Sequence, residues 1–293
     1  MSDAIAVIDD LRDESEELDS LVAELSDEEW AVATPAPGWT IAHQIAHLTW
    51  TDGVAVTAAT DPGAFGAEVE AALAAPESFV DEAAGAAVAS SSPAELLRRW
   101  RAGRERLQEV LREAVPGTRI PWYGPPMSLA SMATARLMET WAHGQDVADA
   151  LGVVRAPAER LRHVARIGVR ARDYAYVVRG ATPPGEAFRV ELTSPGGGLI
   201  AFGPEGAAQR VTGPLLDFCL LVTRRAHRDD LALRAVGAEA DGWLDIAQAF
   251  AGLPGAGRAP RGDGGARGDR GAGGGRREGE SEVAANPLRS EGT

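Results

Sequence analysis

Hydrophobic residues recur at three- and four-residue intervals through the first half of the chain, a spacing that places them on one face of an α-helix. This spacing predicts four long helices, at about residues 3–25, 40–59, 93–115 and 128–151. Polar or proline-rich segments separate them. Long amphipathic helices joined by loops are typical of a four-helix bundle, which we expect over residues 1–153.

Local signals support these helix limits. Ser92 is a favourable helix cap and Pro93 suits the first helical position, so the third helix begins there. Gly152 is expected to end the fourth helix. Between the second and third helices, residues 64–90 are rich in alanine and are predicted to form helical pieces broken at Pro76.

The pattern changes in the second half of the chain. Phe188, Val190 and Leu192 alternate with polar positions, a glycine run follows, and residues 199–202 are again apolar, which predicts a β-hairpin. Helices are expected after Pro157 and at about residues 214–226 and 240–252. The sequence thus predicts a mainly α protein in which a smaller α+β domain, residues 158–253, follows the bundle.

The last segment, residues 254–293, is rich in glycine, arginine and acidic residues and has almost no large apolar side chains. Such a segment cannot bury enough apolar surface to offset the entropy lost on ordering. We therefore expect a disordered tail.

Charge and composition exclude several classes of function. All 29 basic residues are arginine, so a Schiff-base lysine and a phosphate-loop lysine are both excluded. The net charge of −14 disfavours a nucleic-acid or anionic-membrane surface on the folded body. Clustered arginines could still form a local anion site.

Cys219 is the single cysteine, so an intramolecular disulfide is excluded. Its apolar surroundings favour a buried structural thiol. The N-terminus lacks the pattern of a signal peptide, and no stretch is apolar for long enough to span a bilayer. We expect a cytoplasmic protein.

Three side chains on two predicted helices suggest a metal site. Glu139 and His143 are four residues apart and share a helix face, and His47 can approach them from the second helix. Two imidazoles and one carboxylate form the ligand set of a catalytic divalent metal that keeps an open position. The same spacing also fits two solvated polar stripes, because loose motifs match often by chance.

Two segments carry a family resemblance: residues 37–48 (PGWTIAHQIAHL) and residues 139–146 (ETWAHGQD). They resemble the metal-binding domain of the mycothiol-dependent maleylpyruvate isomerase family, which is related to the DinB-like four-helix bundles. The resemblance covers roughly residues 5–152. It implies a divalent metal, typically Zn²⁺, held by the two histidines and the glutamate named above.

A second resemblance concerns the C-terminal domain. Residues 211–219 and 247–252 are similar to a domain that is often attached to this bundle and is sometimes named for wyosine base formation. A domain name does not establish an activity, so this resemblance contributes little to the functional prediction.

The first resemblance implies that the metal acidifies a low-molecular-weight thiol, mycothiol, which adds to an activated alkene, allows bond rotation and leaves. We therefore expect an isomerase or S-transferase with a small-molecule thiol and an electrophilic substrate as partners. No catalytic residue beyond the metal ligands is predicted. The alternatives are a metal-dependent hydrolase and a non-enzymatic metal- or ligand-binding module.

Four further residues have candidate roles near the metal. Asp146 could accept a hydrogen bond from the second ring nitrogen of His143, or it could simply be an exposed acid. His43 is a rival ligand or a pocket residue. Arg224 and Arg225 could bind a carboxylate of the thiol cofactor or of an acidic substrate, although a helix C-terminus also favours arginine.

Overall fold

The computed structural model describes residues 2–74, 78–250, 252, 255 and 257–261. The predicted disordered tail lies mostly outside these described residues, as does the predicted helix break at Pro76. The described residues up to Arg261 form one compact unit in which helix predominates, which confirms the mainly α fold class.

Eleven α-helices occur within the described residues. In chain order they are α1 (Ser2–Val22), α2 (Asp27–Trp30), α3 (Ile41–Thr60), α4 (Pro62–Ala74), α5 (Phe79–Ala89), α6 (Pro93–Glu113), α7 (Leu129–Leu151), α8 (Leu161–Arg170), α9 (Arg172–Val177), α10 (Leu215–Val222) and α11 (Ala238–Ile246). A short 3-10 turn, Arg228–Asp230, precedes the last strand.

The four long helices predicted from the hydrophobic spacing correspond to α1, α3, α6 and α7. Helix α1 packs along α7, and α3 packs against both α6 and α7. Ser128 caps α7 by accepting a hydrogen bond from the backbone N–H of Ser131 at 3.2 Å, and Gly152 ends the helix in a left-handed conformation with φ 68°. This packing brings the middle of α7 next to the first half of α3.

The strands lie mostly in the second half of the chain. They are β1 (Arg119–Ile120), β2 (Met127–Ser128), β3 (Phe188–Thr193), β4 (Leu199–Phe202), β5 (Gln209–Pro214) and β6 (Arg234–Val236). Strands β1 and β2 form a small antiparallel pair, and the others form a sheet of order β4-β3-β5-β6. The hairpin of β3 with β4 is antiparallel, as the alternating pattern predicts.

Four of these strands are absent from the sequence prediction, namely the short pair β1 and β2 and two strands of the larger sheet. Strand β5 pairs in parallel with β3, and β6 adds antiparallel to β5. Both are short and polar in part, so neither shows a clear two-residue alternation. The two helices expected in this region are shorter than predicted, since α10 ends at Val222 and α11 ends at Ile246.

The hydrophobic core passes from the long helices into the sheet region. One cluster joins buried residues of α1 and α7 to others on α8, β3 and α11, and a second lies among α1, α3 and α6. The proposed boundary between residues 153 and 158 stays a prediction. None of the described helices combines the length and the apolar character needed to cross a bilayer.

Candidate metal centre

Packing of α3 on α7 brings His47, Glu139 and His143 together, and we call these three residues the ligand cluster. One potential ligand atom from each lies within 4.8 Å of the other two. Oε2 of Glu139 is 3.5 Å from Nε2 of His47 and 3.2 Å from Nε2 of His143. The two imidazole rings are 4.5 Å apart between centroids. The sequence-predicted residues therefore converge on one point.

Gln44 orients one of the imidazoles. Its side-chain oxygen lies 2.5 Å from Nδ1 of His143, and its amide nitrogen donates to Oγ1 of Thr34 at 2.9 Å. An amide oxygen only accepts hydrogen bonds, so Nδ1 of His143 carries the proton and Nε2 presents its lone pair to Glu139. Gln44 is fully buried one helical turn before His47, and the sequence analysis did not identify it as a functional residue.

The protonation states follow from burial. Burial, reinforced by the neighbouring His47, lowers the pKa of His143 to about 4, so this ring is neutral at pH 7. Burial acts to raise the pKa of Glu139, but its contacts with His143 and His47 hold that pKa well below its usual range. At neutral pH a nitrogen lone pair and a carboxylate oxygen thus face each other at 3.2 Å.

This arrangement fits a cation. Both atoms can bind a cation, because burial keeps Nε2 of His143 unprotonated at neutral pH and Glu139 is ionised there. A neutral imidazole and an ionised carboxylate are the forms that bind a divalent metal. A donor set of two nitrogens and one oxygen is found with zinc and with other divalent transition metals.

A buried ion pair joins α3 to α7 about one helical turn from the ligand cluster. Arg136 on α7 donates from Nε to Oδ1 of Asp52 on α3 at 3.2 Å, and from Nη2 to Oγ1 of Thr51 at 2.9 Å. Burial raises the pKa of Asp52 to about 6, against the opposing charge of Arg136. The positive charge of Arg136 also favours the ionised form of Glu139. The sequence prediction missed this pair, because its partners are 84 residues apart.

Aromatic side chains enclose the ligand cluster. The ring of Trp39 stacks on His143 at 5.9 Å between centroids and lies 5.4 Å from His47. Nε1 of Trp39 donates to Oδ1 of Asp81 on α5 at 2.9 Å. The ring of Trp50 also lies near His47, at 5.8 Å between centroids. These rings form an apolar wall that limits access of water to the two imidazoles.

The two neighbouring candidates have other partners. Nδ1 of His43 forms a hydrogen bond with Oγ1 of Thr40 at 2.8 Å, at the start of α3. Burial lowers the pKa of His43. Asp146 is buried and pairs with Arg225 at 2.7 Å and with Arg258. The nitrogen of His143 that Asp146 was expected to contact is bound by Gln44 instead.

The candidate anion-binding arginines lie beside the same helix. Nε of Arg225 donates to the carbonyl of Ala142 at 3.1 Å, while its Nη2 pairs with Asp146. Arg224 donates to the carbonyl of Asp245 at 3.4 Å, and its backbone has a positive φ of 63°. Arg225 thus joins the C-terminal region to α7 next to the ligand cluster, whereas Arg224 is directed at α11.

Cys219 is fully buried, as its apolar surroundings predict, and its thiol donates to the carbonyl of Leu161 at 3.4 Å. Burial raises the pKa of this thiol well above its usual range. A buried, protonated thiol is a poor nucleophile, so Cys219 does not supply a thiolate to the site.

Comparison with known protein families confirms the resemblance seen in the two motifs. Residues 11–148 match the family described as the mycothiol maleylpyruvate isomerase N-terminal domain. Residues 184–236 match the family described as wyosine base formation. The first match contains the whole ligand cluster.

Two similar structures show the same fold. They are crystal structures of the mycothiol-dependent maleylpyruvate isomerase and of a histidine-to-alanine mutant of it, both with a TM-score of 0.54. They are 16% and 15% identical to this chain, cover 79% and 78% of it, and are matched over 92% of their own length.

Two relatives from strains of Mycobacterium tuberculosis are much more similar in sequence. The uncharacterized proteins Rv0036c and MT0041 are each 58% identical over 258 residues, which is 88% of this chain and 100% of each relative. The chain belongs to the same family as these mycobacterial proteins, and in this chain a mycothiol maleylpyruvate isomerase N-terminal domain precedes a segment of the wyosine base formation type.

Proposed function

We propose that this protein is a thiol-dependent isomerase or S-transferase that holds a divalent metal, Zn²⁺, through His47, Glu139 and His143. Its cosubstrate is a low-molecular-weight thiol, mycothiol, and its substrate is a small electrophile. The reaction needs a reduced thiol, so the expected compartment is the cytoplasm.

The observation that carries the proposal is the convergence of one ligand atom each from His47, Glu139 and His143 to within 4.8 Å of one another. Burial keeps the imidazole of His143 neutral, which is the form that binds a metal. Gln44 holds the proton of His143 on the opposite nitrogen, so the lone pair stays directed at the cluster.

The chain's own residues define what the site can do. A metal bound by two imidazoles and one carboxylate keeps positive charge and an open position, so it lowers the pKa of a thiol that binds there. Trp39 and Trp50 exclude water from the imidazole side. In this proposal Arg225 and Arg224 bind a carboxylate of the thiol or of the substrate, for which Arg225 would have to share its guanidinium with Asp146.

The family relationship supports the thiol chemistry. The structures with the same fold bear the name of a mycothiol-dependent maleylpyruvate isomerase. The chain offers no thiolate of its own, because Cys219 is buried and protonated. An external thiol is therefore the nucleophile that this site would use.

Elemental analysis of the untagged protein tests the metal. We expect one zinc per chain, lost in His47→Ala and in His143→Ala but retained in His227→Ala, a partly exposed histidine outside the ligand cluster. A wild-type protein that binds no metal after reconstitution would refute the proposal.

Mass spectrometry of the reaction tests the chemistry. With mycothiol and a maleyl-type electrophile we expect either an isomerised substrate or a thiol adduct, formed by the wild type and absent in His143→Ala. Addition of water without any need for thiol would instead identify a hydrolase. Metal binding without turnover of either kind would identify a non-enzymatic binding module.

A further inference from the structure

A cleft of about 520 Å³ lies between the β1–β2 connection, the first turns of α7 and helix α8. Thr134 lines it, nine residues before His143. At 100° and 1.5 Å per residue, these two side chains point to opposite sides of α7 and lie roughly 13 Å apart along its axis. The cleft is therefore separate from the ligand cluster.

The charge of the cleft is opposite to that of the protein. Arg119, Arg166 and Arg170 line it together with His163, and no aspartate or glutamate is among the lining residues. The whole chain has a net charge of −14. Such a local excess of guanidinium groups attracts anions.

Two of these arginines have no acidic partner. Arg166 and Arg170 are four residues apart on α8, so their like charges repel across one turn. Within the described part of the chain, neither guanidinium has a carboxylate oxygen within 4.0 Å. Asp10, the acid that contacts the lining residue His163 at 2.8 Å, is already paired with His163 and Arg162.

The remaining walls of the cleft combine apolar side chains with hydroxyl groups. Val7, Met127 and Ile167 supply apolar surface, and the hydroxyl groups of Ser128 and Ser131 lie at the first turn of α7. A volume of about 520 Å³ is in the range of small-molecule sites. Positive charge beside apolar surface suits a ligand with an anionic end and an apolar body.

We propose that this cleft binds a small organic carboxylate, with the carboxylate paired to Arg166 and Arg170 and the apolar body packed on Val7, Met127 and Ile167. Guanidinium groups bind carboxylates through forked, charge-assisted hydrogen bonds. The apolar wall distinguishes such a ligand from an inorganic anion. The site is independent of the metal chemistry proposed above.

Fluorine NMR titration of the full chain with para-trifluoromethylbenzoate tests this site. We expect saturable binding of the carboxylate and much weaker binding of the neutral para-trifluoromethylbenzamide. The double variant Arg166→Gln/Arg170→Gln should bind the carboxylate about tenfold more weakly or worse. The matched control Arg98→Gln/Arg106→Gln removes the same charge from the exposed face of α6 and should leave binding unchanged.

Three further measurements make the outcome decisive. Ile167→Glu places a carboxylate in the cleft and should abolish binding while circular dichroism shows a folded protein. His143→Ala should bind the probe as the wild type does, and loss of binding there would place the probe at the metal centre and overturn the inference. Displacement by inorganic phosphate at the same concentration as by unlabelled benzoate would also overturn it, because the apolar wall would then contribute nothing.

Discussion

Two buried polar clusters of this protein have opposite compositions. The ligand cluster contains one carboxylate and two imidazoles, with electron-pair donors directed at one point. The other, which we call the ion-pair cluster, joins α1 to the segment between α7 and α8 and consists of Glu14, Glu17, Arg155 and Arg160. The first cluster has an excess of electron-pair donors, whereas the second contains as many positive as negative charges.

The ion-pair cluster neutralises itself. Glu14 is fully buried and accepts from Nε of Arg160 at 2.6 Å and from Arg155. Arg155 also pairs with Glu17 at 2.8 Å. Every charge therefore has a partner of opposite sign, so the ion-pair cluster does not need an added ion to neutralise it. Burial of polar groups therefore does not by itself indicate a binding site, whereas converging ligand atoms without a matching positive charge do.

The largest expected effect concerns the ion-pair cluster. Glu14→Gln leaves Arg155 and Arg160 buried with half of their counter-charge, so we expect the free energy of unfolding to fall by about 3–5 kcal/mol. Urea denaturation measures this change. The control Glu16→Gln, at an exposed position of α1, should change stability by less than about 0.5 kcal/mol. If Glu14→Gln and Glu16→Gln had similar free energies of unfolding, the ion-pair cluster would not stabilise the folded protein.

The next effect is a pH dependence of the metal-free protein. The pKa of His143 is about 4 in the folded chain and 6.5 in the unfolded one, so the unfolded state takes up the proton first as pH falls. Above pH 6.5 His143 is neutral in both states and does not lower the stability. Between pH 6.5 and 4 the unfolded state binds the proton more tightly, so the free energy of unfolding falls by on the order of 3 kcal/mol. His143→Gln should flatten this part of the stability–pH curve, and an unchanged slope would contradict the assignment.

A smaller effect is expected at the residue that orients His143. Gln44→Leu removes the acceptor for Nδ1, so the ring can rotate or change tautomer and metal affinity should fall about 10- to 100-fold. Competition with a chromophoric chelator measures this affinity. Gln145→Leu alters an amide on α7 that contacts only Asp149 among the described residues, and it should keep wild-type affinity. Equal affinities for the two variants would exclude a role for Gln44.

The smallest change in stability is expected within the ligand cluster. Glu139→Gln keeps the shape of the side chain but weakens its contacts with His143 and His47, so the unfolding free energy of the metal-free protein should fall by about 1–2 kcal/mol. The same variant should lose bound metal. A destabilisation as large as that of Glu14→Gln would mean that the ligand cluster is a structural network.

Much of the fold was predictable because helix signals are local. Apolar spacing, the cap at Ser92 and the terminal Gly152 located the long helices to within a few residues. Strands β5 and β6 were missed, since each is stabilised by pairing with a strand distant in sequence and carries little pattern of its own.

The candidate ligands could be identified from the sequence. Glu139 and His143 share a helix face through the helical repeat alone, and the family motif added His47. The surroundings of these ligands depend on helix packing: Gln44, rather than Asp146, contacts His143, while Asp146 pairs with two arginines. Contacts within one helix follow from its fixed geometry. Contacts between residues about 100 positions apart depend on how the helices pack, which no local pattern specifies.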